Sequence, residues 1–401
     1  MSLQSGSLLL ALPPEIREQI YRIILHPRHN QVFGSDDYNS YDYTDALVLF
    51  RLNQQIYYES RKIFRDLNIF VRIQTPWPEA QDHVAIEGHV PILMKDRRAA
   101  NFKEYRLNVA IEAPQMPLEP KDMQCFVVLL NDLDKFTKTW MYADLSNPGL
   151  NSHLGVRLTL HDPYTPDWEQ KHVPKWLQRD LLLPFGMVKG LARVIVEGDP
   201  APLASVKSDL RAEQLVPYKS PEACLSEATR LKAAGNAALN AGDYHKALKI
   251  YGEAWEAIHI VVRGRQRHIH AEAYFAVELT EDPWKGKNGQ GERIALRIQL
   301  VANTCQVYLK LEEWDEVCYW GTRTINMMRQ TVFGPVQRIL SPEMEAMLDF
   351  PYASQIGKIY YRTAVAFERL ADTHQARALL KVAAVYLPRD PHIKALLAAL
   401  T

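Results

Sequence analysis

The chain is poor in cysteine: Cys125, Cys224, Cys305 and Cys318 are the four thiols in 401 residues, and no two form a CxxC pair. That excludes a disulfide framework and makes a reducing compartment, cytosol or nucleus, the expectation. There is no apolar run near the roughly 18 residues that a spanning helix needs, so no membrane is expected as a partner. The short apolar stretch at residues 8–12 has no basic residue before it and runs directly into Pro13-Pro14-Glu15, unlike a signal peptide. An excess of either charge is also missing, with 47 Lys+Arg against 47 Asp+Glu. A nucleic-acid binder that relies on a global positive field is therefore not expected. The chain lacks GxSxG, HExxH and a nucleotide-binding fingerprint. GKNGQGER has glycines but neither the GxxxxGK[ST] spacing nor a preceding strand. Hence neither an enzyme nor a cofactor is expected.

What is present describes an ordinary globular protein, 47% hydrophobic and 23% charged. At roughly 150 residues per domain, the length suggests two or three domains. Pro13 and Pro14 suit a helix start, and Leu12, Ile16, Ile20, Ile23 and Ile24 recur at helical spacing as its apolar face. Residues 26–45 are rich in Asp, Asn, Ser and Tyr and read as a loop. A second helix is expected over 45–64, with Leu49, Leu52, Ile56, Ile63 and Phe64 inward, followed by a strand in NIFVRI. Further along, strands are expected over 105–111, 156–160 and 191–197, with helices over 122–142 and 174–183. This alternation argues for a small α/β unit. Residues 199–221 hold Pro200, Pro202, Pro217 and Pro221 and read as a linker.

The opening LPPEIREQIYRIIL, with LFRLNQQIYYESRKIF and NIFVRI after it, resembles the F-box-like N-terminus common in fungal proteins, over about 65 residues. That resemblance implies docking on the Skp adaptor of cullin ubiquitin ligases. The chain departs from the pattern by a loop of about 20 residues between the two helices.

The C-terminal part repeats one spacing. Gly235 is followed at +12, +16 and +19 by Ala247, Tyr251 and Ala254, and Ala364 at the same offsets by Ala376, Leu380 and Ala383. Cys305 gives Val317, Gly321 and Thr324, a poorer match in type. Small residues at these offsets let antiparallel helices approach closely, while the larger ones fill the groove between neighbours. The turns AGDYHKAL, KLEEWDEV and LADTHQAR fall between the helices of each pair. The pattern resembles the tetratricopeptide repeat (TPR), a helix pair of about 34 residues that stacks into a solenoid. Here the copies are 70 and then 59 residues apart, so insertions are expected over 263–293 and 329–352, and a capping helix over 390–400.

One TPR subclass holds the acidic C-terminal tail of the seventy- and ninety-kilodalton heat-shock chaperones in a carboxylate clamp. Its pattern is Lys-x-x-x-Asn, then Asn, then Lys-x-x-x-Arg. This sequence matches it with Lys232 and Asn236, Asn303, and Lys358 and Arg362, in the register set by the small residues. Lys232/Asn236 and Lys358/Arg362 are i,i+4 pairs, so each pair shares a helix face. A metal site is not expected: His268, His270 and Glu272 in RHIHAEAY read as helical and would not share a face, and His26 and His29 lie in a loop without a nearby cysteine.

The expected fold is thus mainly α with a small α/β middle part. F-box-like helices occupy 1–75, an α/β subdomain 76–198, a linker 199–221, and a TPR α-solenoid with insertions 222–401. The expected function is a non-enzymatic adaptor that binds a chaperone's acidic tail. The alternatives are a substrate receptor of a Skp-cullin ubiquitin ligase, or a TPR scaffold for another protein.

Overall fold

The computed structural model describes residues 9–33, 39–115, 123–334, 341–350 and 352–400. Leu8, residues 34–38 of the expected loop, Asp122, and residues 335–340 of the second expected insertion lie outside them. The chain is helix-rich with an α/β part, and it divides into two compact units, 1–218 and 219–401.

In the first unit, α1 (Pro14–Leu25) packs on α3 (Gln54–Leu67). The buried face of α1 is Arg17, Tyr21 and Leu25, not the expected isoleucine stripe; Ile16 and Ile23 are 41% and 60% exposed. The cause is a specific acceptor. Arg17 donates from Nε and Nη2 to the two oxygens of Glu59, at 2.9 and 2.7 Å, and Tyr21 donates to the same carboxylate at 3.2 Å. A guanidinium satisfied by a carboxylate fork can be buried, and its partner decides which face turns inward. The hydrogen bonds from Arg17 hold the Glu59 carboxyl at about 2. Because this value lies below the ordinary glutamate value of 4.5, the stabilisation is complete above about pH 4.5 and is lost as pH falls toward 2. Glu59 is still 30% exposed, so water screens the pair and the loss is modest. Acid titration of the full chain should show this loss, and Glu59→Gln should flatten it.

Between these helices, the expected loop carries a short hairpin, β1 (Gln31–Phe33) with β2 (Asn39–Tyr41). The expected helix over 45–64 is broken: α2 (Leu49–Leu52) stops at Asn53, which is fully extended and caps α3 by accepting from the Ile56 N–H at 2.9 Å. Leu52 is left 53% exposed.

A mixed sheet of six strands follows: β3 (Phe70–Thr75), β4 (Met94–Lys95), β5 (Tyr105–Glu112), β6 (Gln124–Leu129), β7 (Gly155–His161) and β8 (Arg193–Asp199), in the order β4-β6-β3-β5-β7-β8. The pairs β3/β5 and β7/β8 are parallel and the others antiparallel. Strand β6 corrects the expected helix over 122–142. Its CFVVL run is continuous because both faces are covered: Phe126 and Val128 enter one core, Cys125, Val127 and Leu129 another. The helix here is α6 (Leu133–Ser146). With α4 (Ala80–Ile86), α7 (Lys175–Leu182) and α8 (Ala204–Leu215), it supplies side chains to the larger core, while Ala99 of α5 (Asp96–Asn101) belongs to the smaller one.

The second unit is built on three helix pairs joined by tight turns: α9 (Pro221–Asn240) with α10 (Tyr244–Ala257), α12 (Gly289–Leu311) with α13 (Trp314–Phe333), and α15 (Ala353–Arg369) with α16 (Thr373–Tyr386). Ala247, Ala254, Cys305, Ala364, Ala376 and Ala383 are all fully buried. Gly235 lies under the Tyr251 ring, where a Cβ would sit 2.4 Å from the ring carbon. Gly321 likewise faces Thr363, whose hydroxyl would be 1.8 Å from an added Cβ. Between the first two pairs lie the hairpin β9 (Ile260–Arg263) with β10 (Gln266–Ile269) and the short α11 (Glu272–Phe275). RHIHAEAY is therefore not one helix. His268 lies in the strand β10, His270 just past it, and their rings stack 6.3 Å apart because alternate residues of an extended chain share a face. The short α14 (Pro342–Glu345) precedes the third pair, and α17 (Pro391–Ala399) packs on α16 at the end.

Candidate functional site

Helix α12 packs against both α9 and α15, so residues 232–236, 299–303 and 358–362 come from neighbouring helices. The polar contacts between them are direct. Asn303 Nδ2 donates to Asn236 Oδ1 at 2.7 Å, across 67 residues of sequence. The same oxygen accepts from the Tyr251 hydroxyl at 2.7 Å, which ties α10 into the cluster. Lys232 Nζ donates to Gln299 Oε1, and Arg362 Nη1 donates to the Ala302 carbonyl, one residue before Asn303. Four of the five expected residues thus make polar contacts with, or across to, helix α12. Lys358 lies one turn before Arg362 on α15, half-buried, with no side-chain hydrogen bond or ion pair among the described residues.

No family model, curated protein or solved structure matches this chain. The chemistry of the site therefore rests on its own geometry. Both Lys232 and Arg362 have neutral partners, an amide and a peptide carbonyl. No acidic residue occurs within 232–236, 299–303 or 358–362. Burial lowers the pKa of Lys232 and of Arg362, the cost of removing a cation from water without a counter-ion. Burial also pushes the Tyr251 hydroxyl up to about 12, although Arg362 and the Asn303 amide act the other way. These three stretches offer ammonium, guanidinium and amide donors and carry no carboxylate of their own, an arrangement suited to holding a carboxylate.

Two participants were not singled out from the sequence. Gln299 precedes Asn303 by four residues, the spacing that also pairs Lys232 with Asn236, and this was the available signal. Tyr251 is marked by the repeat as a groove filler, but its hydroxyl also orients Asn236. Among the described residues no three His, Cys, Asp or Glu side chains are grouped to hold a metal; His26 and His29 come to 5.8 Å without a third ligand.

Proposed function

We propose that the second unit is a TPR-type binding module that holds the acidic C-terminal tail of a heat-shock chaperone, making the protein a non-enzymatic adaptor. The observation that carries this reading is the Asn236–Asn303 hydrogen bond, flanked by Lys232 and Arg362 on neutral partners. A terminal carboxylate and an acidic side chain would replace these weak internal partners with charge-assisted bonds, each about 1.5–3 kcal/mol before water competes. Two or three such bonds with some apolar contact correspond to a Kd near 1 μM, about −8 kcal/mol.

Titration of the full chain with a labelled peptide ending in Glu-Glu-Val-Asp tests it. Binding is expected to weaken with salt, because the attraction is between charges near water. Lys358→Ala is the cleanest variant, since Lys358 has no internal side-chain bond to lose; a drop of about tenfold or more is expected. Arg362→Ala should weaken binding further. Absence of binding, or binding indifferent to both substitutions in chains that remain folded, sinks the proposal.

A further inference from the structure

The opposite side of α12 lines a cavity. At 3.6 residues per turn, Arg297, Ile298 and Val301 lie about half a turn from Gln299 and Asn303. With Met327 and Met328 of α13, and with Met347 and Phe350 before α15, they help enclose about 250 Å³. Thr324 and Thr331 donate their hydroxyls back to their own helix. The remaining polar side chains on the wall are two guanidiniums, Arg297 and Arg267 of β10.

Neither guanidinium has a carboxylate partner among the described residues. Arg297 is 9% exposed, and its Nη2 reaches only the Met327 sulfur at 3.7 Å, a weak acceptor. Nε and Nη2 of Arg267 are closed off from solvent without a hydrogen-bond partner. The group lies over the Trp320 ring at 4.4 Å and near Trp255 at 5.7 Å. Burial, followed by repulsion from Arg323 and Arg297, lowers the Arg267 pKa to about 10. Burial also lowers that of Arg297, against an opposing pull from Glu272. Buried cations are ordinarily paired. Here two guanidiniums, one buried and one half-buried, share an apolar wall, and an anion has the charge to pair with both.

The size of the cavity limits the rest of the ligand. A cavity of about 150 Å³ takes one benzene, so about 250 Å³ takes roughly ten non-hydrogen atoms. The methionines supply a pliable apolar lining. We propose that this cavity binds a small amphipathic organic anion, its carboxylate between Arg267 and Arg297 and a chain of about eight carbons against the methionines.

Calorimetric titration of the full chain with octanoate, 1-octanol and acetate separates the two halves of this recognition. Octanoate is expected to bind at least about tenfold more tightly than either of the others, and to perturb tryptophan fluorescence because Trp320 and Trp255 flank Arg267. Arg267→Gln and Arg297→Met should each weaken octanoate about tenfold or more while leaving octanol unchanged. Octanol or acetate equal to octanoate, no octanoate binding to the wild-type chain, or full octanoate binding in a folded arginine variant overturns the proposal. Should one variant fail to fold, the other and the three-ligand comparison on the wild type decide. None of these readouts depends on the peptide groove, so the two proposals fail separately.

Discussion

Arg293→Met should lower the stability of the second unit by about 4 kcal/mol, measured by urea unfolding of the full chain. Arg293 is fully buried in the first turns of α12. Its Nε donates to the Ile258 carbonyl at 3.0 Å, and its Nη2 to those of His259 and His270 at 3.2 and 2.6 Å. The Phe275 ring packs under the guanidinium, 4.5 Å away. One side chain thus closes both ends of the β9–β10 hairpin onto α12. Methionine has a similar length, so the cavity left is small and the loss is chiefly electrostatic. Carbonyls that lose a charged donor while buried cost about 1–3 kcal/mol each, partly offset because no cation is then desolvated. Arg293→Lys keeps the charge but not the planar fork, and should recover about half of the loss. A loss under about 1 kcal/mol for Arg293→Met would show that the hairpin is held by its apolar contacts alone.

Buried arginines are the feature least legible in the sequence, and the reason is physical. Arg17 and Arg293 have the composition signal of solvent-facing residues. What buries them is an acceptor far along the chain, Glu59 in one case and the carbonyls of Ile258, His259 and His270 in the other. By contrast, the helix pairs of the second unit were legible because their constraint is local and periodic. Gly235 and Tyr251 must fit each other across one tight turn, and the same offsets recur at Ala364 and Leu380. Strand β6 hid for the opposite reason: with both faces covered, its apolar run carries no period to read. The break at Asn53 was visible only as a capping residue, and an asparagine inside a helical pattern does not announce which role it takes.

The candidate site shows the same division. Lys232/Asn236 and Lys358/Arg362 were legible as i,i+4 pairs, whereas the Lys232–Gln299 bond requires knowing that α9 and α12 are neighbours. The balanced overall charge was equally uninformative about the groove. Equal totals of 47 and 47 coexist with acid-free stretches on three adjacent helices, and with two guanidiniums behind α12 that have no carboxylate partner among the described residues. Both proposed sites depend on where carboxylates are missing, which a net charge cannot record.

Leu210→Ala should destabilise the first unit by about 3 kcal/mol, while Leu215→Ala, five residues on, should change it by less than about 0.5 kcal/mol. Both lie in the segment 199–221, expected as a linker from its prolines. Those prolines frame a helix rather than prevent one: Pro200 and Pro202 precede α8, and Pro217 follows it. Leu210 and Val206 are fully buried in the larger core of the first unit, whereas Leu215 is 84% exposed. Polar contacts reinforce the docking. Gln178 accepts from the Leu203 N–H at 2.8 Å, Gln214 donates to the Phe185 carbonyl at 3.1 Å, and Arg179 pairs with Asp209. Removing three buried carbons from Leu210 loses their transfer energy and leaves a cavity, whereas Leu215 has neither to lose. Thermal or urea unfolding of the two variants as full chains distinguishes a core helix from a tether. Equal, small effects would return α8 to the linker and move the boundary of the first unit back toward residue 198. The expected difference keeps α8 within the unit that ends at Tyr218.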